Sequence, residues 1–218
     1  MGVRKVRHHG FNIIGTFAGL KANSVPYEST IERDFMYFLE YDARVVSYES
    51  QPLFITGTTE DGTPHVYTPD FLVIRTTDRI IVECKPANRV DDEDIQQQCT
   101  LGRQWAASHE DHHFLLVTEQ ELRAGHRLNN LKILWKYSRF PVLPATIKRC
   151  VAALTAHPEG MSFLDLATEL SDGATPPLAQ SPTLYALLFQ HVLVADLSQP
   201  LGPISLLFLP ADPPTLLP

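Results

Sequence analysis

Three charged side chains stand at the ends of two short apolar segments. Asp70 precedes the apolar run 71–74, and Glu83 and Lys85 end the run that begins at Ile80. Side chains at positions i and i+2 of a β-strand lie on the same face, so we expect Glu83 and Lys85 to share one face. A carboxylate and an ammonium group at the end of a core strand cost roughly several kcal/mol unless each is compensated. The sequence therefore predicts a polar cluster at this place.

The chemistry that this cluster indicates is hydrolysis of a phosphodiester with a divalent cation. A short turn at 76–79 joins the two segments as a hairpin, which would bring Asp70 to Glu83 and Lys85. Two hard carboxylate ligands beside a lysine favour Mg²⁺ or Mn²⁺ over zinc. Asp70 and Glu83, with the Cys84 backbone carbonyl as a further oxygen, would hold one or two ions. Lys85 would orient the attacking water or neutralise developing charge.

The elements that must position this cluster follow an α/β order. Ser29 and Glu32 form a capping-box pattern, which predicts a helix from there to about Tyr41. Extended segments are expected at 45–55, 65–74, 80–85 and 114–118, and helices at 91–109 and 128–137. The order helix, three strands, helix, strand, helix predicts an α/β layer fold.

Two prolines, Pro141 and Pro144, predict a domain boundary. We expect a basic arm at 1–24, a catalytic domain at 25–140 and a second domain at 145–218. In the second domain, helical patterns at 146–156, 162–170 and 181–190 precede extended patterns at 192–195 and 204–209. Three helices followed by a β-hairpin predict a winged helix.

The charge of the chain is unevenly distributed. Its net value of −7 argues against a protein that coats nucleic acid through bulk charge. Segments 1–25 and 122–158 contain cations and no acids, and each is either a solvated face or a phosphate-binding surface. The candidates for nucleic-acid binding are Arg4, Lys5, Arg7, Lys21, Arg127, Lys132 and Lys136. After residue 158 every charged residue is acidic, which favours a protein-docking module over a phosphate binder.

Composition excludes several classes of protein. The longest unbroken apolar runs are far shorter than the roughly 18 residues that a membrane-spanning helix needs. No apolar stretch of signal-peptide length follows the first cations, so we expect a cytoplasmic protein. Three cysteines without C-x-x-C spacing exclude a disulfide framework and a cysteine zinc cluster.

The pair Pro69-Asp70, followed by Glu83-Cys84-Lys85, resembles the motif of the PD-(D/E)xK nuclease superfamily. A wider set of segments is similar to the TnsA-type endonuclease subunit of heteromeric cut-and-paste transposases: Gly15–Lys21, Tyr27–Phe35, Val45–Pro52, Thr68–Leu72, Glu83–Pro86, Val117–Glu119 and Asn130–Tyr137. The similarity spans about residues 15–140. It implies a restriction-endonuclease-like core with a mixed sheet, followed by a winged-helix domain.

The resemblance also assigns roles to individual residues. It implies that Glu32 is the helix-borne acid of the site, although a capping-box glutamate needs no catalytic role. Asp70 is then the central metal ligand, Glu83 the second acid, and Lys85 the catalytic lysine. Gln51 lies near the site in this resemblance, but it also reads as a simple strand end, and it is not among the predicted catalytic residues.

The reaction implied by the resemblance is metal-dependent cleavage of the 5′, non-transferred strand at transposon ends. The implied cofactor is Mg²⁺ or Mn²⁺, and the implied partners are double-stranded DNA, a DDE transposase like TnsB and an AAA+ regulator like TnsC. We expect the regulator to dock on the C-terminal domain. Two alternatives stay open: a stand-alone PD-(D/E)xK restriction or repair nuclease, and a noncatalytic adaptor between transposase and regulator. The sequence also leaves open whether a guide RNA directs insertion.

Overall fold

The computed structural model describes residues 13–58, 62–212 and 214–217. The chain divides into two compact units, of which the first ends at Arg123 and the second begins at Ala124. This boundary lies earlier than the one expected from the prolines after residue 140. Within the described ranges, no helix combines the length and the apolar character needed to cross a bilayer.

A mixed sheet forms the centre of the first unit. The elements of this unit are, in chain order, β1 (Gly15–Ala18), β2 (Ser24–Tyr27), α1 (Thr30–Tyr41), β3 (Val45–Ser50), β4 (Ile55–Thr58), β5 (Pro64–Tyr67), β6 (Phe71–Arg75), β7 (Arg79–Cys84), α2 (Glu93–Ala107), β8 (His112–Val117) and α3 (Glu119–Leu122). The central strand order is β3-β6-β7-β8. β3, β6 and β7 are antiparallel neighbours, whereas β7 and β8 run parallel. The predicted α/β class with a mixed-sheet core is confirmed.

Helix α1 forms where the capping pattern predicted it. The Ser29 hydroxyl accepts a hydrogen bond from the Glu32 N–H at 3.1 Å, which satisfies one of the free donors at the helix N-terminus. Ile31, Phe35 and Leu39 recur at helical spacing and are buried. The Phe35 ring packs on Phe71 of β6 with centroids 5.8 Å apart. Helix α1 is therefore fixed against the strand that follows Asp70.

One predicted strand is in fact two strands in different sheets. The segment expected at 65–74 contains β5, which pairs with β4 in a separate antiparallel hairpin, and β6, which lies in the central sheet. The break falls at 68–70, where Pro69 has no N–H to donate to a ladder. Asp70 therefore stands immediately before a central strand, at the end of the sheet.

Lys21 has a structural environment that differs from the predicted contact with DNA. Its Nζ donates hydrogen bonds to the carbonyl oxygens of Leu39, at 2.9 Å, and of Asp42. These carbonyls lie at the C-terminal end of α1, which a cation stabilises. Burial lowers the pKa of Lys21 to about 8, although the Glu40 and Asp42 charges oppose the shift. The structure thus gives Lys21 a helix-capping role, and its contact with nucleic acid stays a prediction.

The second unit consists of helices with a short antiparallel strand pair. Its elements are α4 (Arg127–Lys136), α5 (Pro144–Ala156), β9 (Met161–Ser162), α6 (Phe163–Leu170), α7 (Ser181–Phe189) and β10 (Leu206–Leu207). The three helices expected after residue 145 are present. The expected hairpin is reduced to one bridge between Val194 and Phe208, because β10 pairs with β9 instead. The winged helix stays a prediction.

A buried asparagine explains why α4 belongs to the second unit. The Asn130 amide donates hydrogen bonds to the carbonyls of Leu197 and Gln199, at 2.9 and 2.7 Å, and accepts one from the Leu201 N–H at 3.2 Å. Asn130 is 2% exposed. The side chain thus satisfies three backbone groups of the segment that follows α7.

We predict that Asn130→Ala lowers the free energy of unfolding of the second unit by about 2–3 kcal/mol, because it leaves buried backbone groups unsatisfied. Urea denaturation followed by Trp135 fluorescence, in a Trp105→Phe background, measures this. The exposed neighbour Asn129 provides the matched control, Asn129→Ala. Equal losses in the two variants would contradict the prediction.

Candidate active site

The register of the central sheet aligns three residues at one end of it. β6 and β7 pair with Phe71 opposite Val82, so the next position places Asp70 opposite Glu83. β3 and β6 pair with Ser50 opposite Phe71, and beyond this pair the Gln51 N–H donates to the Asp70 carbonyl at 2.9 Å. Opposite residues of antiparallel strands are close neighbours. Gln51, Asp70 and Glu83 therefore form a row across three strands.

A backbone hydrogen bond orients the Asp70 carboxylate. Its Oδ2 accepts from the Cys84 N–H at 2.7 Å. This bond holds the carboxylate at the end of β7, between the positions of Glu83 and Lys85. The predicted hairpin thus brings Asp70 to the Glu-x-Lys motif, as its short connecting turn indicated.

Glu83 and Lys85 form an ion pair that leaves one carboxylate oxygen open. The Lys85 ammonium contacts Glu83 Oε1, and Glu83 is 1% exposed. Glu83 Oε2 is buried and has no hydrogen-bond partner among the described residues. Burial raises the pKa of Glu83 to about 8 and the Asp70 charge adds to the shift, whereas Lys85 opposes it. The ionised form of Glu83 is therefore compensated only in part by its protein partners.

Lys85 is a permanent cation in this environment. Burial alone would lower the pKa of its ammonium group, but the charges of Asp70 and Glu83 raise that pKa above the usual range. The lysine is thus suited to electrostatic stabilisation of an anion, rather than to accepting a proton at neutral pH.

Glu32 combines a capping role with proximity to the cluster. Its Oε2 accepts from the Glu28 N–H at 2.9 Å, and the residue is 8% exposed. Burial raises the pKa of Glu32 to about 7, and the Asp70 charge is the next cause. The structure thus brings Glu32, Asp70, Glu83 and Lys85 into electrostatic contact.

Cys84 separates the two charged residues of the motif. Burial raises the pKa of its thiol well above the usual value, so the side chain stays protonated and does not suit metal ligation. Its N–H binds Asp70. The predicted use of its carbonyl as a ligand stays a prediction.

The donor set fits a hard divalent cation. In the part of the chain that the structure describes, no three His, Cys, Asp or Glu side chains already form a ready metal cluster. Glu83, whose Oε2 lacks a hydrogen-bond partner among the described residues, nevertheless stands opposite Asp70, and Glu32 adds a third carboxylate to the cluster. Oxygen donors of this kind suit Mg²⁺ or Mn²⁺. A bound cation would compensate the ionised form of Glu32 and Glu83, which burial makes unfavourable and the Asp70 charge opposes further.

Two side chains next to the cluster were not among the predicted site residues. The Tyr67 hydroxyl is buried and lacks a hydrogen-bond partner within the described ranges. Burial raises its pKa, and the charges of Glu83 and Asp70 add to the shift, so the phenol stays protonated. Gln51 is also buried. In the sequence, the dipeptide Gln51-Pro52 indicated that Gln51 lies near the site, whereas no motif indicates this for Tyr67.

The predicted nucleic-acid contacts lie in different parts of the chain. Arg4, Lys5 and Arg7 fall outside the described residues. Lys21 has the capping contacts described above. The remaining three, on α4 of the second unit, are Arg127 and Lys136, which are exposed, and Lys132, which is half-buried. Their contact with DNA stays a prediction.

Comparison with known proteins supports the sequence resemblance. Residues 42–119 match the family model described as TnsA-like endonuclease N terminal, a match that includes Asp70, Glu83 and Lys85 but less than half of the chain. The chain thus carries a TnsA-like endonuclease domain, and the resemblance to TnsA-type endonucleases is confirmed. A search of curated proteins finds no match.

We predict that Glu32→Gln stabilises the metal-free protein relative to wild type, and that this gain is larger at pH 8 than at pH 5. The Glu32 pKa rises from 4.5 to about 7 on folding, so its contribution to stability is present below pH 4.5 and is lost as the pH rises through about 7. Glutamine does not ionise, and the variant should gain about 2 kcal/mol over wild type across this window. Thermal unfolding in EDTA at both pH values measures the gain.

The exposed Glu110 supplies the matched control, Glu110→Gln. If the stability of the Glu32→Gln variant depends on pH in the same way as that of wild type, the fold does not raise the pKa of Glu32, and the prediction is contradicted.

Proposed function

We propose that this chain is the endonuclease subunit of a heteromeric transposase, which hydrolyses the 5′, non-transferred strand at transposon ends with Mg²⁺ or Mn²⁺. The observation that carries the proposal is the row of Asp70 and Glu83 beside Lys85, with an open buried oxygen on Glu83, inside a TnsA-like endonuclease domain. Carboxylates that burial leaves partly uncompensated are a common feature of catalytic sites.

The chain's own residues have distinct tasks in this reaction. Asp70, Glu83 and Glu32, with the Cys84 carbonyl, would hold one or two ions. A bound divalent cation polarises a phosphodiester and lowers the pKa of a water molecule. The Cys84 N–H keeps the Asp70 carboxylate in place, and the ion pair with Glu83 keeps the Lys85 ammonium at the cluster. From there Lys85 neutralises the charge that develops on the phosphate or orients the water.

Dependence on partners is part of the proposal. A net charge of −7 gives little general attraction to DNA, so a DDE transposase like TnsB would deliver the transposon end. After residue 158 the second unit carries acids and no Lys or Arg, which suits docking to an AAA+ regulator like TnsC rather than phosphate binding. We retain the basic arm at 1–24 and the winged-helix layout of the C-terminal domain as parts of this proposal.

The first test of the proposal is the removal of single site residues. Asp70→Ala and Lys85→Ala should each reduce nicking of a labelled transposon end, in the presence of the transposase, by about 10²–10³-fold. Strand-specific gel analysis measures the cut. The matched controls replace the exposed residues Asp91 and Lys148 by alanine.

Two other outcomes would favour the alternatives. Efficient Mg²⁺-dependent cutting of plasmid DNA without a partner would indicate a stand-alone nuclease. Complete double-strand excision by both site variants would contradict catalysis by this cluster and indicate an adaptor.

We also predict that the second unit is required to bind the regulator. A chain that ends at Arg123 should lose capture by the AAA+ protein in a pulldown, while circular dichroism checks that the remaining unit is folded. Retention of the regulator by this shortened chain would refute the docking role of residues 124–218.

A further inference from the structure

Gln51 lies in line with the two central acids of the cluster. It follows β3 directly, and its N–H donates to the carbonyl of Asp70, which itself stands opposite Glu83. The position therefore adjoins the proposed cation site through a direct backbone contact. This hydrogen bond uses only the backbone of Gln51, so it gives no reason for the side chain.

The backbone of Gln51 adopts an unfavourable conformation. Its φ of 48° lies in the left-handed region, which glycine adopts freely and other residues rarely do. A following proline, here Pro52, further favours extended backbone at the residue before it. Such a conformation costs about 1–3 kcal/mol and is found preferentially at functional sites. Glycine would adopt this φ without strain, so a glutamine at this position points to a use for its side chain.

The side chain of Gln51 has an open acceptor. The residue is 8% exposed, and its Oε1 is buried without a hydrogen-bond partner in the described part of the chain. Glu83 Oε2, two strands away in the same row, is likewise buried and has no hydrogen-bond partner among the described residues. A buried acceptor without a donor costs about 1–3 kcal/mol. Two such acceptors flanking Asp70 are best satisfied by one positively charged group.

We infer that Gln51 Oε1 is a neutral oxygen ligand of the divalent cation that Asp70 and Glu83 are proposed to hold, an inference that rests on the proposed function. Carboxamide oxygens are common ligands of hard cations. Asp70 and Glu83, opposite each other across β6 and β7, already supply two carboxylates to this row. A neutral ligand adds a further oxygen without adding another negative charge.

The test measures Mn²⁺ affinity of the full chain by isothermal titration calorimetry, together with thermal unfolding in EDTA. Gln51→Gly should weaken Mn²⁺ binding about tenfold. The same variant should leave the unfolding temperature unchanged or higher, because glycine adopts the positive φ without strain. This combination separates a ligand from a merely structural residue.

A second variant reverses the sign of the effect. Gln51→Glu should tighten Mn²⁺ binding, because it adds a charged ligand, and should destabilise the metal-free protein, because it adds a fourth carboxylate. The exposed Gln120 supplies the control, Gln120→Ala, which should change neither quantity.

The outcomes distinguish this inference from the proposed function. If Asp70→Ala abolishes Mn²⁺ binding while both Gln51 variants retain wild-type affinity, the role of Gln51 is overturned and the nuclease proposal stands. If the wild-type chain binds no Mn²⁺, or if Asp70→Ala binds it as well as wild type does, both are overturned.

Discussion

A buried carboxylate that the protein satisfies on one side only is the constraint around which the first unit is arranged. Transfer of an ionised group into the interior costs several kcal/mol, roughly, unless partners compensate it. Lys85 contacts one oxygen of Glu83, while the other is buried without a hydrogen-bond partner among the described residues, and Glu83 itself stands opposite Asp70. Because the Asp70 and Glu32 charges lie close by, the metal-free cluster carries electrostatic repulsion. Binding of a cation would reduce this repulsion, so the cluster favours a positively charged ligand in addition to Lys85.

Strand pairing holds this arrangement in place. Antiparallel pairing of β6 with β7 fixes Asp70 opposite Glu83, and the parallel partner β8 continues with a bond from the Lys85 N–H to the Val117 carbonyl at 3.0 Å. Beyond Pro86, the Ala87 N–H donates to Glu119 at 2.9 Å, so the segment after the lysine is also tied to the end of β8. The acids and the lysine thus rest on a rigid sheet, which favours accurate placement of catalytic groups.

Local patterns predicted the parts of the site that neighbouring residues determine. The hairpin that joins Asp70 to Glu83 and the Ser29 cap of α1 depend on short-range turn and capping chemistry, and both are present. Such patterns do not predict contacts between residues that are far apart in the sequence. Lys21 finds the carbonyls at the end of α1, Tyr67 reaches the cluster from a separate hairpin, and Asn130 binds a segment about 70 residues away. Each of these depends on the tertiary fold, which periodicity and spacing do not encode.

The most direct test of the central claim is the anomalous diffraction signal of Mn²⁺ in crystals of the full chain. The account predicts an ion with oxygen atoms of both Asp70 and Glu83 at about 2.0–2.6 Å, and a Lys85 ammonium that stays within the cluster. An Mn²⁺ ion bound only at other residues, or no ion at millimolar Mn²⁺ with the Glu83–Lys85 pair unchanged, would contradict it.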